Sequence, residues 1–165
     1  MDAGPLLAAV GRCLRDVDLE AVLIGNAAAA LQGAPVTTVD FDFLFRRTPK
    51  NLTKLKAFAT RLKATILRPY YPASDLYRVV RDDDGLQVDF MGTIHGIRSF
   101  EGLRDRATSL EVGGAPILVA SLDDIIRSKR AARRPRDLAV LEVLEKTRAE
   151  AQEPKGASRR PRPRK

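Results

Sequence analysis

The chain has 165 residues, of which 44% are hydrophobic and 30% charged, and its net charge is +8. This length and composition predict one globular domain with its own hydrophobic core. The apolar runs are shorter than a membrane helix needs, the N-terminus lacks a secretion-signal pattern, and a single cysteine and a single histidine exclude an internal disulfide and a His/Cys zinc cluster. The sequence therefore predicts a soluble cytoplasmic protein.

Helices and strands are predicted to mix along the chain without a strict repeat. Apolar spacing predicts an opening helix over 4–16 and a buried strand over 21–24 that ends at Gly25. Asn26 is expected to cap a short helix over 27–31. The remaining expected elements begin with a strand over 38–46, a helix to 62 that Thr48 caps, and strands over 64–68, 76–81 and 86–91, with a hairpin-type turn at Asp83-Asp84-Gly85. A helix over 99–107, a hairpin over 109–120, a helix over 121–133 that Ser121 caps, and a helix over 135–151 follow. The pattern predicts an α/β or α+β fold with one mixed sheet.

The last fourteen residues, 152–165, are expected to form a disordered basic tail after a domain over 1–151. They contain three prolines, no large apolar residue, and six basic residues against one acidic residue. A solubilising terminus and an arm attracted to nucleic-acid phosphates both fit this composition.

Two aspartates in the strand predicted over 38–46 are candidate metal ligands. Alternation along the strand directs Val39 and the three phenylalanines towards the core and places Asp40 and Asp42 together on the opposite side. Neighbouring carboxylates repel each other unless a cation lies between them, and oxygen ligands on a rigid strand suit Mg²⁺. The alternative is a solvent-exposed strand face whose acids only discourage edge-to-edge pairing.

A third acid, Asp89, lies in a strand whose other alternate residues, Leu86, Val88 and Phe90, are predicted to face the core. If this strand neighbours the first one, the three acids together hold two divalent ions for phosphoryl transfer. Asp89 is then expected to ligate the ion that activates the attacking hydroxyl, or to accept its proton. The alternative is a surface acid near a turn.

The junction at Gly25 is a candidate phosphate site. Glycine lets a phosphate approach the backbone, and the N-terminus of the following helix offers free N–H groups. The alternative is an ordinary turn.

Two segments carry a family resemblance. Residues 22–33 followed by 38–44 resemble the first motif of the DNA polymerase beta-like nucleotidyltransferase superfamily, in which an apolar strand ends in Gly-Gly or Gly-Ser and a helix and an Asp-x-Asp strand follow. Residues 121–138 resemble the ending of its AbiEii/MenT toxin-like branch, in which a helix with a lysine precedes an Arg-Pro-Lys/Arg-Asp junction and a final helix. The resemblance spans roughly residues 20–145. It implies the nucleotidyltransferase fold, with a mixed sheet flanked by helices and a C-terminal helical pair.

This resemblance also implies an activity, the transfer of a nucleotide from an NTP to an acceptor hydroxyl with Mg²⁺ or Mn²⁺. The acceptor it favours is RNA, and tRNA in particular, with an antitoxin protein as a further partner. The implied catalytic and metal-binding residues are Asp40, Asp42 and Asp89, and the implied nucleotide contacts are Gly25, Asn26, Thr38, Lys129 and Asp137. Asn26 replaces the Gly or Ser of the motif, and Val36 stands where many relatives carry arginine, so both departures bear on NTP affinity.

The final two predicted helices add basic residues. Lys129 shares an apolar stripe with Leu122 and Ile125 and is expected either to reach a triphosphate or simply to extend its amine to solvent. Asp137 suits the first turn of a helix, and the resemblance adds a contact with ribose or with Lys129. The remaining candidates, Arg133, Arg134 and Arg136, form a basic corner for RNA phosphates or a solvated surface.

Two other functions remain open at this point: a non-catalytic nucleotide- or RNA-binding module of the same fold, and nucleotidyl transfer to a protein hydroxyl. The single histidine, His95, and the three tyrosines, Tyr70, Tyr71 and Tyr77, are given no catalytic role.

Overall fold

A computed structural model of the chain describes residues 3–67 and 75–153. The helices are α1 Ala3–Asp16, α2 Gly25–Leu31, α3 Pro49–Arg61, α4 Phe100–Arg106, α5 Leu122–Ala132 and α6 Pro135–Gln152. The strands are β1 Ala21–Ile24, β2 Phe41–Phe45, β3 Thr65–Leu67, β4 Tyr77–Arg81, β5 Leu86–Met91, β6 Thr108–Val112 and β7 Ala115–Val119. The tail residues 154–165 and the tyrosines at 70 and 71 lie outside the described residues.

All seven of these strands form one sheet in the order β3-β4-β5-β2-β1-β7-β6. β2 pairs with β5, and β1 with β7, in parallel, whereas β1 and β2 pair antiparallel, as do the neighbours β3–β4, β4–β5 and β6–β7. The sheet is therefore mixed, as predicted. α5 and α6 pack against each other at the end of the chain, which confirms the expected C-terminal helical pair. Within the described residues, the helices are all too short or too polar to cross a membrane.

An aromatic cluster fills one face of the central strands. Phe43 stacks on Phe90 with a centroid distance of 5.5 Å, and Phe58 of α3 meets Phe90 edge-on at 5.3 Å. All three rings are fully buried. Because alternate residues of a strand point to opposite faces, this packing directs the residues between the phenylalanines towards the other face. The predicted alternation of β2 and β5 is confirmed for these residues.

The start of β2 differs from the prediction. The strand begins at Phe41 rather than Thr38, and Val39 is 85% exposed instead of facing the core. The reason is the end of the neighbouring strand: Ile24 pairs with Asp42, and the chain then turns into α2, so the residues before Phe41 have no partner in β1. Thr38 instead donates a hydrogen bond from its hydroxyl to the carbonyl of Asp40, at 2.6 Å, within a local turn.

The expected capping role of Asn26 is also wrong. α2 begins at Gly25, so Asn26 lies inside its first turn, where its Nδ2 donates to the carbonyl of Thr37 at 3.4 Å. By contrast, Thr48 and Ser121 cap α3 and α5 as predicted, since each hydroxyl accepts a hydrogen bond from the backbone N–H three residues later.

Candidate active site

One row of residues crosses four neighbouring strands at the candidate site. Ile24 of β1 pairs with Asp42 of β2, Asp42 with Asp89 of β5, and Asp89 with Arg78 of β4. Directly opposed residues on adjacent strands have side chains on the same face of a sheet. The register therefore places two carboxylates and one guanidinium side by side, on the face opposite the phenylalanines.

The three predicted acids converge in space. Asp40 joins Asp42 and Asp89 from the turn before β2, and each of the three offers a carboxylate oxygen within 4.8 Å of the others. Asp89 is only 4% exposed. Gln87 holds the group together because its Nε2 donates to Oδ2 of Asp40 at 3.2 Å and to Oδ2 of Asp89 at 3.3 Å. Hard oxygen donors gathered at this spacing fit a magnesium or manganese ion.

Asp42 has a raised pKa in this cluster. Its pKa is raised to about 7, first by burial and then by the neighbouring charges of Asp40 and Asp89, against smaller opposing effects of Lys129 and Arg136. A divalent ion bound beside this carboxyl group would lower its pKa, because the positive charge stabilises the ionised form.

Gly25 closes the site beside Asp42. Its φ of +69° lies in the left-handed region, and a Cβ atom there would be 3.0 Å from Oδ2 of Asp42. Asn26 follows it, and its buried Oδ1 has no hydrogen-bond donor among the described residues. This junction therefore needs glycine both for its backbone conformation and for the space it leaves to the acid.

The α5–α6 junction supplies the opposite wall of the site. Lys129, with a side chain only 13% exposed, lies with Nζ 3.6 Å from Oδ1 of the buried Asp137. Arg134 also binds Asp137, with Nε 2.6 Å from Oδ2. Burial lowers the pKa of Lys129, opposed by the charge of Asp137. The contact of Lys129 with Asp137 is present, and Arg134 is engaged by the same carboxylate.

These elements enclose a cleft of about 440 Å³. The predicted site residues that line it are Gly25, Asn26, Thr38, Asp40, Asp42, Asp89, Lys129, Arg134, Arg136 and Asp137. Arg133 does not line the cleft; it ends α5 in a left-handed conformation with φ of +53°. Tyr77 belongs to the core, where its ring meets Phe45 edge-on.

Sequence reasoning assigned no site role to Arg78 and His95, which line the cleft, or to Gln87, which contacts Asp40 and Asp89. The alternation of β4, with Tyr77 and Val79 facing the core, was a usable signal for Arg78. The same alternation placed Gln87 on the face of Asp89. His95 had no such signal, because it lies in the loop after β5.

A family model described as nucleotidyl transferase of unknown function (DUF2204) matches residues 5–155. The chain belongs to this family. It is a nucleotidyltransferase, which confirms the superfamily resemblance seen in its sequence. No curated protein matches the sequence of this DUF2204 member.

Solved structures show the same fold for this DUF2204 nucleotidyltransferase. ANT(2'')-Ia in complex with adenylyl-2''-tobramycin superposes with a TM-score of 0.62 at 13% identity, over 90% of this chain and 94% of that one. A solution structure of the antibiotic-resistance factor ANT(2'')-Ia gives 0.59 at 15% identity, over 92% and 93%. A putative nucleotidyltransferase from Thermotoga maritima gives 0.54 at 21% identity, over 89% and 91%.

Proposed function

We propose that this nucleotidyltransferase uses Mg²⁺ or Mn²⁺ to transfer a nucleotide from an NTP to a hydroxyl of RNA, with tRNA as the favoured acceptor, in the cytoplasm. The observation that carries the proposal is the convergence of Asp40, Asp42 and Asp89 in one cleft with Gly25 and Lys129. Carboxylates for a divalent cation and a lysine for phosphate are the groups that phosphoryl transfer requires.

The proposed metal ligands are the three acids, with Asp40 and Asp42 contributed by one short segment and Asp89 by the neighbouring strand. A divalent cation bound there would neutralise phosphate charge and stabilise the attacking and leaving oxygens. Gly25 leaves the backbone at the start of α2 open to the same region.

The chain's own residues then bind and orient the substrates. Lys129 reaches into the cleft from α5 and is proposed to bind the NTP phosphates, together with Arg136 at the rim. The acceptor oxygen forms a bond to the α-phosphorus, its proton passes to Asp89, and the bond to the pyrophosphate oxygen breaks. Thr38 acts by holding the turn that carries Asp40. Asp137 orients Lys129.

A polyanionic acceptor suits the charge around the cleft. Arg136 lines it beside Lys129, and so do Arg78 and Arg134, which pair with Asp89 and Asp137. A second pocket, of about 510 Å³, contains Arg98, Arg106 and Arg127. Guanidinium groups are the usual partners of nucleic-acid phosphates. These charges support RNA, and the resemblance of residues 121–138 to the AbiEii/MenT branch supports a toxin paired with an antitoxin protein.

Label transfer tests this proposal directly. Each α-³²P-labelled NTP is incubated with Mg²⁺ or Mn²⁺ and, in separate reactions, with mixed tRNA, tobramycin or cellular protein. We expect label in tRNA, lost by at least about 100-fold in Asp40→Asn and Asp42→Asn. Asp83→Asn, which changes an exposed acid in the β4–β5 turn, is the matched control and keeps the activity. Label that appears only in tobramycin or in protein, or that persists in Asp42→Asn, contradicts the proposal.

A further inference from the structure

An arginine already neutralises the third acid of the site. Nε of Arg78 lies 2.9 Å from Oδ1 of Asp89, and Nη2 lies 3.1 Å from Oδ2, so the guanidinium binds both carboxylate oxygens. The side chain of Asp89 is 5% exposed, whereas that of Arg78 is 41% exposed and reaches the cleft. Two parallel charge-assisted hydrogen bonds of this kind form a strong and directional pair.

The strand register makes this pair a built feature of the sheet. Arg78 and Asp89 are directly opposed in the antiparallel β4–β5 hairpin, and Gln87, two residues before Asp89 on the same face, donates to Oδ2 of Asp89. Both oxygens of Asp89 therefore have protein donors. A divalent cation that took Asp89 as a ligand would have to compete with a fixed positive charge for the same oxygens.

The remaining charges match a single ion. With Asp89 paired to Arg78, the unneutralised carboxylates of the cluster are those of Asp40 and Asp42. Two carboxylates balance one divalent cation, and Mg²⁺ is commonly bound by one or two carboxylates plus substrate phosphates.

We propose that the active site holds one divalent cation, on Asp40 and Asp42, and that the guanidinium of Arg78 takes the place of a second cation beside Asp89. This inference rests on the proposed function and revises its metal site, because Asp89, proposed above as a third ligand, now acts beside the ion without binding it. Arg78 is a positioning residue for Asp89, the group proposed to accept the proton of the acceptor hydroxyl. It supplies a permanent positive charge where a second ion would have to be recruited.

Titration of the full-length protein with Mn²⁺ alone, followed by electron paramagnetic resonance of the free ion at pH 8, tests this assignment. The wild-type chain is expected to bind one Mn²⁺. Asp89→Asn is expected to retain that ion with an affinity within about tenfold of wild type while losing nucleotidyl transfer, because Asp89 would act outside the ligand set. Asp42→Asn is expected to lose the ion.

Removal of the positive charge of Arg78 is expected to increase the number of bound ions. Arg78→Gln leaves Asp89 without its cationic partner, so we expect it to bind a second Mn²⁺. We also expect Mn²⁺ to raise the melting temperature of this variant by more than it raises that of the wild type. Arg78→Lys keeps the positive charge and is expected to bind one ion, which supplies a milder variant if Arg78→Gln folds poorly. Arg81→Gln is the matched control on the same strand, because Arg81 pairs with Asp84 at the hairpin turn; it is expected to bind one ion.

The outcomes separate this inference from the proposed function. Two ions on the wild-type chain, loss of the ion in Asp89→Asn, or one ion on Arg78→Gln overturns the single-ion assignment and leaves nucleotidyl transfer untouched. A wild-type chain that binds no Mn²⁺ overturns both proposals.

Discussion

Asp42 is the residue whose chemistry depends most on its surroundings. Its pKa is raised to about 7 by burial and by two neighbouring acids, whereas an aspartate in an unfolded chain titrates near 3.9. A raised folded-state pKa means that the fold favours the protonated form. The corresponding stabilisation is fully present below about pH 4 and is lost as the pH rises through about 7.

We therefore predict that Asp42→Asn flattens the pH dependence of stability of the metal-free protein. Between pH 5 and pH 8 the titration of Asp42 is expected to lower the free energy of unfolding of the wild type by up to about 2–3 kcal/mol. The variant lacks this titrating group and is not expected to show the decrease. Thermal unfolding in chelator at both pH values measures the difference. Addition of Mg²⁺ at pH 8 should restore the stability of the wild type but not that of the variant. Parallel curves of stability against pH for the two proteins would contradict the interpretation of Asp42.

A comparison of alanine substitutions at Gly25 and Gly33 separates the effect of backbone strain from that of a local clash with Asp42. Gly25→Ala places a Cβ atom 3.0 Å from Oδ2 of Asp42 at a φ of +69°. Gly33→Ala meets nothing within 4 Å at a φ of +95°, so it carries only the cost of the left-handed backbone. Each substitution is expected to lower the free energy of unfolding by about 1–2 kcal/mol.

Only Gly25→Ala is expected to reduce nucleotidyl transfer as well, by at least about tenfold, because it displaces a carboxylate of the site. Initial rates at saturating NTP, measured with chemical denaturation of the same two variants, test this difference. Equal activity losses in Gly25→Ala and Gly33→Ala would argue against a contact between residue 25 and the acid.

At the scale of elements, the junction between α5 and α6 places Lys129 in the cleft. Lys129 lies on the buried stripe of α5, and Asp137 at the start of α6 is held by Arg134 as well as by Lys129. Removal of the lysine therefore leaves the buried carboxylate with a partner. The junction is thus expected to survive the change.

Lys129→Ala is predicted to raise the KM for NTP by about tenfold or more, the loss expected for one charged hydrogen bond, with a small change in melting temperature. Arg130→Ala is the control, because Arg130 lies on the next position of α5 and pairs with Glu145 instead of lining the cleft. Steady-state kinetics with varied NTP measure the effect. A change in kcat alone, or an equal effect in both variants, would contradict a phosphate-binding role.

The pairing of elements shows where local patterns stop being informative. Alternation and turn residues located β4 and β5 and made them a hairpin, because both signals depend on residues close in sequence. The start of β2 was misplaced, because it depends on where β1 ends. The capping position of α2 was misplaced for a related reason: Gly25 already belongs to the helix, and Asn26 turns towards Thr37 instead.

For the molecule as a whole, the excess of basic residues predicts a salt-dependent acceptor interaction. The net charge is +8, and Arg136 lines the cleft close to the exposed Arg133. Phosphate contacts release counterions, so affinity for RNA falls steeply as salt rises.

Raising the salt from 50 to 200 mM is predicted to increase the KM for tRNA by about tenfold or more, with a smaller effect on the KM for NTP. Arg136→Ala and Arg133→Ala should each reduce the slope of log KM against log salt by about one. Arg15→Ala, on α1 and paired with Asp16, should leave the slope unchanged. A KM for tRNA that does not respond to salt would count against a nucleic-acid acceptor.

Local sequence patterns were enough to predict the helices, most strands, two helix caps and the three candidate acids, since periodicity, capping and alternation act over a few positions. Tertiary structure alone decided that β5 lies parallel to β2 and that Arg78 neutralises Asp89 beside the other acids. These contacts join segments far apart in sequence or side chains on different elements. Their formation depends on packing of the complete sheet against its helices, which no local pattern encodes.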